Sequence, residues 1–404
     1  MDSGRRRFLE VSAGLPALSA LASISGEGHD PLGVRKDFPG AVDYTFLNTA
    51  YIGLTPQPVA DAARDFIEAR SRHTYTVGHM EQKKHEALRL FAGLVGADED
   101  EVAFLFSTTE GENVVVNSLD FKPGDNVVFD DLVYPSTPVI YRRLQQTHGV
   151  EMRIVKSRGG AVTVEDFAKL VDKRTRIISV AWVSNTSGYR HDIAALANLA
   201  HAHNAYLYAD AAQFIGTAPV DVHALGIDFF TTGTYKWIMA GFGIAPFYVR
   251  RDLLDRIQAP NVGWMVEKTL PEYNYQHYRS AKKFEYSSPA YGQFYDLAAA
   301  LSYLKRVGLD KIEAQCVGLA RELRKGLVGL GFNVFTPEEN RSPIVSFYVN
   351  KPQKDIQTIL DAERVMVSLH EESEGRTRVR VAPAFFNNAS ETQRFLDVSG
   401  KLNA

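Results

Sequence analysis

The stretch from Gly226 to Arg250, GIDFFTTGTYKWIMAGFGIAPFYVR, sets two apolar runs on either side of one lysine. Ile227 to Phe230 reads as a short strand and Ile244 to Val249 as a second. Between them lie small polar residues, Lys236, and then Gly241 and Gly243. Lys236 is the one basic side chain between Asp228 and Arg250. A lysine held between two core strands loses its water, which lowers its pKa and leaves a neutral amine able to condense with a carbonyl. The plain alternative is a surface lysine on a loop.

Upstream of this stretch, apolar runs recur with helical patterns between them. Val102 to Phe106, Asn126 to Phe129, Met152 to Val155, Ile177 to Val183 and Tyr206 to Ala209 read as strands. Pro138 to Thr147, Val164 to Leu170 and Ile193 to His203 read as helices. With the two strands around Lys236 this makes an α/β domain of about seven strands. Continuously apolar strands alternating with helices predict a mostly parallel sheet covered on both faces. The last strand, joined only through the Lys236 segment, has room to run antiparallel. Nearer the N-terminus, Phe46 to Ala50 reads as a short strand entering a turn, followed by helices over Val59 to Arg72 and Glu81 to Leu94.

Downstream, Asn261 to Ser288 is irregular and aromatic, with Trp264, Tyr273, Tyr275, Tyr278, Phe284 and Tyr286. Long structured connections of this kind are often functional, although a subunit interface or plain packing suits the aromatics equally. Helical patterns follow over Tyr291 to Val307 and Lys311 to Leu330. The chain then reads as strand (Ile344 to Val349), helix (Asp355 to Glu363), strand (Val365 to Leu369), strand (Arg376 to Val381) and helix (Glu391 to Leu402). The expected organisation is a leader over residues 1–30, an N-terminal segment over 31–60, a large domain over 61–290 and a smaller α+β domain over 291–404.

At 404 residues the chain has room for two domains. A net charge of −3 without a basic stripe argues against nucleic acid as a partner. The single cysteine, Cys316, excludes an intrachain disulfide and a cysteine-based metal cluster, and its helical setting points to a small buried side chain. No apolar run reaches the roughly 18 residues of a membrane span. Arg5-Arg6-Arg7 followed by Phe8-Leu9, a weakly apolar run from Val11 to Ile24 and the small residues around Ala20-Leu21-Ala22 describe an export signal of the twin-arginine kind, and hence a periplasmic protein. The alternatives are a basic tail and a cytoplasmic location.

Ligands of open α/β sheets bind at the carboxyl ends of strands. Val102 to Phe106 runs into Ser107-Thr108-Thr109-Glu110-Gly111 and then a helix, where hydroxyls and free amides form an anion site or an ordinary helix cap. Tyr206 to Ala209 ends in Asp210, an acid among apolar neighbours that needs a cationic or hydrogen-bonding partner. Ile177 to Val183 ends in Ser184-Asn185-Thr186-Ser187-Gly188. A phosphate site, a carboxylate, amide side chains and a desolvated lysine are together what pyridoxal 5′-phosphate requires.

The chain resembles the class V aminotransferases, fold-type I pyridoxal-phosphate enzymes that include cysteine desulfurases, isopenicillin N epimerase and kynureninase. The resemblance runs from about Phe46 to the C-terminus and is carried by Phe46-Leu47-Asn48-Thr49-Ala50, Ser107 to Asn113, Asp210-Ala211-Ala212-Gln213, Thr234-Tyr235-Lys236 and Arg378 to Pro383 with Asn387. It implies Thr108 and Thr109 on the cofactor phosphate, Asp210 on the ring nitrogen, and Gln213 and Asn185 near the ring hydroxyl. Lys236 would be the Schiff-base lysine, Tyr134 the stacking ring, and Tyr235 a further phosphate contact. Gly263-Trp264 and Ser287-Ser288-Pro289 are similar to segments that, in the family, complete the neighbouring subunit's site, so a homodimer with shared sites is implied. Arg380 aligns with the arginine that binds the substrate carboxylate. Arg376, Arg378 and Arg380 share one face of their strand, and for Arg376 and Arg378 a solvated edge is the expectation.

One departure is informative. Cysteine desulfurases carry a nucleophilic cysteine in the loop before the arginine strand, and Ser368 to Gly375 has none. Its three glutamates and one histidine read as a solvated acidic loop, or as a hint of an amine-bearing or polar substrate. The expected activity is that of an enzyme acting on an amino acid or amine-bearing peptide, first an aminotransferase, with an epimerase or a lyase cleaving at the β-carbon as alternatives. A non-catalytic binding protein on the same fold would be expected to lose Lys236 or Asp210 first, and both are present.

Overall fold

A computed structural model describes residues 30–72, 76–372 and 375–403. Two helices, α1 (Gln57–Arg72) and α2 (Val77–Val95), precede the central sheet. The sheet then builds in chain order from β1 (Val102–Leu105), β2 (Asn126–Asp130), β3 (Glu151–Val155), β4 (Thr175–Ala181), β5 (Tyr206–Asp210), β6 (Phe229–Thr231) and β7 (Ala245–Val249). Helices α3 (Thr108–Ser118), α4 (Ser136–His148) and α5 (Ile193–Ala202) lie between strands. Spatial order is β1-β7-β6-β5-β4-β2-β3. Only β7 runs antiparallel, hydrogen-bonded to β1 on one side and β6 on the other. The fold is thus the mostly parallel, two-sided α/β sheet expected from the strand pattern.

Alternate side chains of each strand enter different cores, as strand geometry requires. Phe104, Val128, Ile178, Leu207, Phe230 and Tyr248 join one apolar cluster, which also takes Phe91 of α2 and Leu196 of α5. Ala103, Val127, Ile177, Tyr208, Phe229 and Phe247 join the other, with Val115 of α3 and Tyr141 of α4. The helices end where the sequence lets them. Gly96 and Gly149 take left-handed conformations after α2 and α4, and Asp192 accepts a hydrogen bond from the Ala195 amide at the start of α5.

The C-terminal part begins with α6 (Gln293–Val307), which packs on α1 and α2, and α7 (Leu309–Gly329). A four-stranded antiparallel sheet follows, built from β8 (Asn333–Val334), β9 (Val345–Val349), β10 (Ser368–Glu371) and β11 (Thr377–Val381) in the order β8-β9-β11-β10. Helices α8 (Gln353–Ala362) and α9 (Ala389–Asn403) complete this layer. Its core takes Val345, Phe347, Val379, Val381, Leu323 and Phe395, together with Leu47 from the far end of the chain. Thr45–Phe46 pairs in parallel with Val365–Met366, and Asn48 bridges to Ala382.

Three expectations need revision. The strand predicted over Phe46 to Ala50 is two residues long, Thr45–Phe46, because the chain turns at Asn48 to reach the large domain. The strand predicted over Val365 to Leu369 divides, its first half pairing with the N-terminal segment and its second forming β10. Within the aromatic connection, Lys268–Thr269 and Tyr275–Gln276 form a small hairpin that the irregular pattern concealed. Among the described residues no helix is long and apolar enough to cross a membrane. The arginine-rich segment expected to be a leader, Arg5 to Ile24, lies outside the described residues.

Candidate active site

The carboxyl ends of β1, β4 and β5 converge on one edge of the sheet. Ser107 caps α3, its hydroxyl accepting the Glu110 amide at 3.1 Å, so Thr108 and Thr109 fall in the first turn, where backbone amides are free. Gly111 makes this placement possible: a Cβ there would lie 1.9 Å from Thr231 Oγ1, so only glycine lets α3 rest on β6. The Tyr208 hydroxyl donates to the Thr108 carbonyl at 3.3 Å from beneath. Asp210 ends β5. Its Oδ1 accepts the Ala212 amide at 2.9 Å, and burial raises its pKa against the lowering effects of that bond and of Lys236.

Lys236 sits in a turn fixed from several sides. Thr234 Oγ1 bonds the Gly241 carbonyl at 2.6 Å, the Ala240 amide donates to the Thr234 carbonyl at 3.0 Å, and the Gly241 amide donates to Asp296 Oδ2 at 2.9 Å. The Gly53 amide donates to the Tyr235 carbonyl at 2.9 Å, and a Cβ at Gly53 would lie 2.0 Å from the Lys236 carbonyl oxygen. Met239, buried in the same turn, adopts φ 62°, a left-handed conformation that costs a non-glycine residue energy and is concentrated at functional sites. Lys236 itself is 8% exposed. Burial pulls its amine down to about 8, with Asp210 opposing the shift and Arg380 adding to it. The lysine is thus a core residue and not a surface one. Its Nζ lies 5.9 Å from the Tyr134 ring centroid and 5.6 Å from that of Tyr235.

Arg380 reaches this pocket from β11. Its Nη1 donates to the Asn185 carbonyl at 3.1 Å and its Nη2 to Ser368 Oγ at 2.8 Å, while Ser368 donates in turn to Asn48 Oδ1 at 2.6 Å. Arg380 Nε and Asn185 Oδ1 are buried without a protein partner. Burial and the neighbouring Arg378 hold the Arg380 guanidinium down to about 10. A buried cation with an open donor and, among the described residues, no carboxylate on it is suited to take an anion.

The expectation of a solvated edge fails for Arg378, which is 9% exposed. It faces the large domain, donating to the Thr186 carbonyl at 3.3 Å and pairing with Glu372 at 3.0 Å. Arg376 is half-buried, its guanidinium 3.8 Å from the Tyr348 ring centroid. The acidic-loop reading of Ser368 to Gly375 also fails in part, since Ser368–Glu371 is strand β10 and His370 is half-buried opposite Arg378.

Other predicted residues are spread more widely. Gln213 is buried, donating to the Ala50 carbonyl at 2.8 Å and accepting the Trp237 indole N–H at 2.8 Å, so it ties the lysine turn to the N-terminal segment. Tyr235 stacks on Phe242, ring centroids 4.1 Å apart. Trp264 is 63% exposed. Ser288, also exposed, lines a cleft of about 300 Å³ with Phe106, Glu110, Gly243 and Tyr286, and Lys236 is not among its walls. Sequence reasoning missed Gly53, Asp296, Ser368 and Tyr51, the last of which bears on the charge of Arg380. The Tyr51-Ile52-Gly53 turn was the available signal for two of them, because a glycine just after a strand marks a close backbone approach.

The donor set fits a phosphorylated pyridine aldehyde: free amides at the start of α3, a buried carboxyl on β5, an orphaned Asn185 Oδ1 and a buried amine of lowered pKa. Fold and site together define a fold-type I pyridoxal-phosphate enzyme. The family model for aminotransferase class-V matches residues 46–386, and the chain belongs to that family. It is 30% identical over 336 residues to a probable cysteine desulfurase of Methanothermobacter thermautotrophicus, covering 81% of this chain and 84% of that one. It is 25% identical to the uncharacterized aminotransferase YcbU of Bacillus subtilis, covering 91% and 97%. Among solved structures it resembles the apo cysteine desulfurase of Thermococcus onnurineus, with a TM-score of 0.85, 26% identity, and 93% and 98% of the two chains covered.

Proposed function

We propose that this chain is an aminotransferase acting on an amino acid through Lys236. The observation that carries the reading is the buried amine of Lys236 placed within reach of both the Asp210 carboxylate and the Arg380 guanidinium, two groups that are themselves buried. When bound, pyridoxal phosphate supplies the electron sink for bonds broken at the substrate's α-carbon. Lys236 anchors the cofactor covalently and afterwards moves a proton at its Nζ. Asp210 keeps the ring nitrogen protonated. Thr108, Thr109 and Tyr235 would hold the phosphate, Tyr134 would lie against the ring, and Asn185 and Gln213 would address its hydroxyl. Arg380 clamps the substrate carboxylate.

Desulfuration through a cysteine persulfide is disfavoured despite the desulfurase relatives. Cys316 lies in the core at 0% exposure with its thiol pKa pushed far up by burial, so it offers no accessible thiolate. Epimerisation and cleavage at the β-carbon use the same groups. Transfer of ¹⁵N from a labelled amino acid to a keto acid distinguishes them: transamination moves the label, while racemised substrate or a side-chain fragment with the label unmoved would refute it.

Two further elements belong to the proposal. The protein works as a homodimer in which Trp264 and Ser288 complete the partner's site. It is exported folded by the twin-arginine route, so changing Arg5 and Arg6 to lysine strands active protein in the cytoplasm, and an unchanged periplasmic fraction would refute that route.

A further inference from the structure

The alternation of β9, β10 and β11 gives the small sheet two unlike faces. Val345, Phe347, Val349, Val379 and Val381 enter the apolar core. The opposite face carries Ser346, Tyr348, Ser368, His370, Arg378 and Arg380, with Ser368 paired to Arg380 and His370 to Arg378 across the strands. Arg380 Nη1 and Arg378 Nη1 reach the carbonyls of Asn185 and Thr186, so this face meets the large domain at the active-site rim.

Its charge is out of balance. Two buried guanidiniums, Arg378 and Arg380, stand side by side, about 7 Å apart along the strand. On the proposed function Arg380 receives the substrate's α-carboxylate. Among the described residues Arg378 has one acid, Glu372, bonded through Nε and 39% exposed. Glu371 is on the other face of β10, paired with Thr377. His370 adds no charge: burial and the two arginines push it down to about 3, and its Nε2 is buried without a partner. Burying like charges together is costly unless anions offset them. A neutral imidazole beside a half-satisfied guanidinium is a place for an acceptor, and not for the amine that an acidic loop would have favoured.

We propose that Arg378 and His370 form a second anion subsite beside Arg380, so that the preferred substrate is an amino acid with a carboxylate or comparable acid on its side chain. The incoming acid takes Arg378 from Glu372, which swings into solvent, and His370 donates to it. This rests on the reading of Arg380 as the α-carboxylate site, and the test separates the two.

Calorimetric titration of the cofactor-free full chain with glutarate and with its monoamide, glutaramate, compares a second acid with its neutral isostere. Glutarate is expected to bind at least tenfold tighter. Arg378→Gln should bring glutarate down to the level of glutaramate, while Glu372→Gln should tighten glutarate several-fold and leave glutaramate unchanged. A gain of affinity cannot arise from misfolding, so Glu372→Gln carries the test even where Arg378→Gln fails to fold. Equal binding of the two probes to the wild type, or a Glu372→Gln variant with unaltered glutarate affinity, overturns the subsite. Glutaramate binding that is lost in Arg380→Ala, without any preference for glutarate, overturns the subsite and leaves the Arg380 reading standing.

Discussion

Two regions frame the candidate chemistry, and they are built by opposite means. The Lys236 turn is closed within the chain: Gly53 lies against its carbonyl, Thr234 and Asp296 tie its far end, and Met239 is held in a strained conformation. The connection over residues 261–288 is open, with Trp264 63% exposed and Tyr273 99% exposed. A buried amine needs a rigid setting to keep its proton affinity low, whereas exposed aromatic rings are of use only once something covers them. If the proposed dimer forms, the contrast separates groups one chain positions alone from groups that a second chain covers.

The hardest blow to the closed region is Lys236→Ala. Turnover should fall roughly 10⁴-fold, and borohydride reduction followed by mass spectrometry should find no cofactor attached to the chain. Asp210→Asn should keep the attachment yet lose about 10²–10³-fold in turnover, an outcome that an unimpaired variant would contradict. Gly53→Ala forces a methyl against the Lys236 carbonyl and should cost about 1–3 kcal/mol of stability, read by denaturant unfolding; a variant as stable as wild type would show that the turn is soft.

Proton affinity offers a subtler probe. With the amine at about 8 instead of its ordinary 10.5, covalent capture of added cofactor should drop about tenfold for each pH unit below 8 and level off above it. The folded chain releases that proton before the unfolded chain does. Cofactor-free protein should therefore gain stability as pH rises from about 8 to 10.5. A capture rate flat from pH 6 to 9 would contradict the depressed amine.

The open region yields the smallest signal. Lys236→Ala and Ser288→Glu, each inactive alone, should complement when co-assembled. Random mixing makes about half the dimers mixed, each with one good site of two, hence about a quarter of wild-type turnover. Mixed dimers proved by mass spectrometry but devoid of activity would place each whole site within one chain.

Much of this was legible in the residues because strands buried on both faces leave an unmistakable apolar signature. All seven large-domain strands form close to their predicted spans, and the groups at the ends of β1, β4 and β5 arrive together as strand order demands. What stayed hidden depends on distance along the chain. Arg378 looked solvated because nothing near it in sequence reveals that Thr186 covers it, and the relay from Arg380 through Ser368 to Asn48 spans residues more than 300 positions apart. Asp296 gave no local sign of holding Gly241. Periodicity reports which face a residue occupies, and is silent about what that face meets.

The pairing of the chain's two ends also governs when the protein can be finished. Leu47 fills the small-domain core, Thr45–Phe46 waits for Val365–Met366, and Arg35 bonds Glu391 at 2.8 Å. During synthesis Thr45–Phe46 has no strand partner until Val365–Met366 has emerged, and loops of this length close slowly. The large-domain sheet can form before β11 emerges, whereas the arginine pocket cannot. A nascent chain therefore exposes the segment that carries Lys236 well before the strand that carries Arg380, and the two can meet only after β11 has paired.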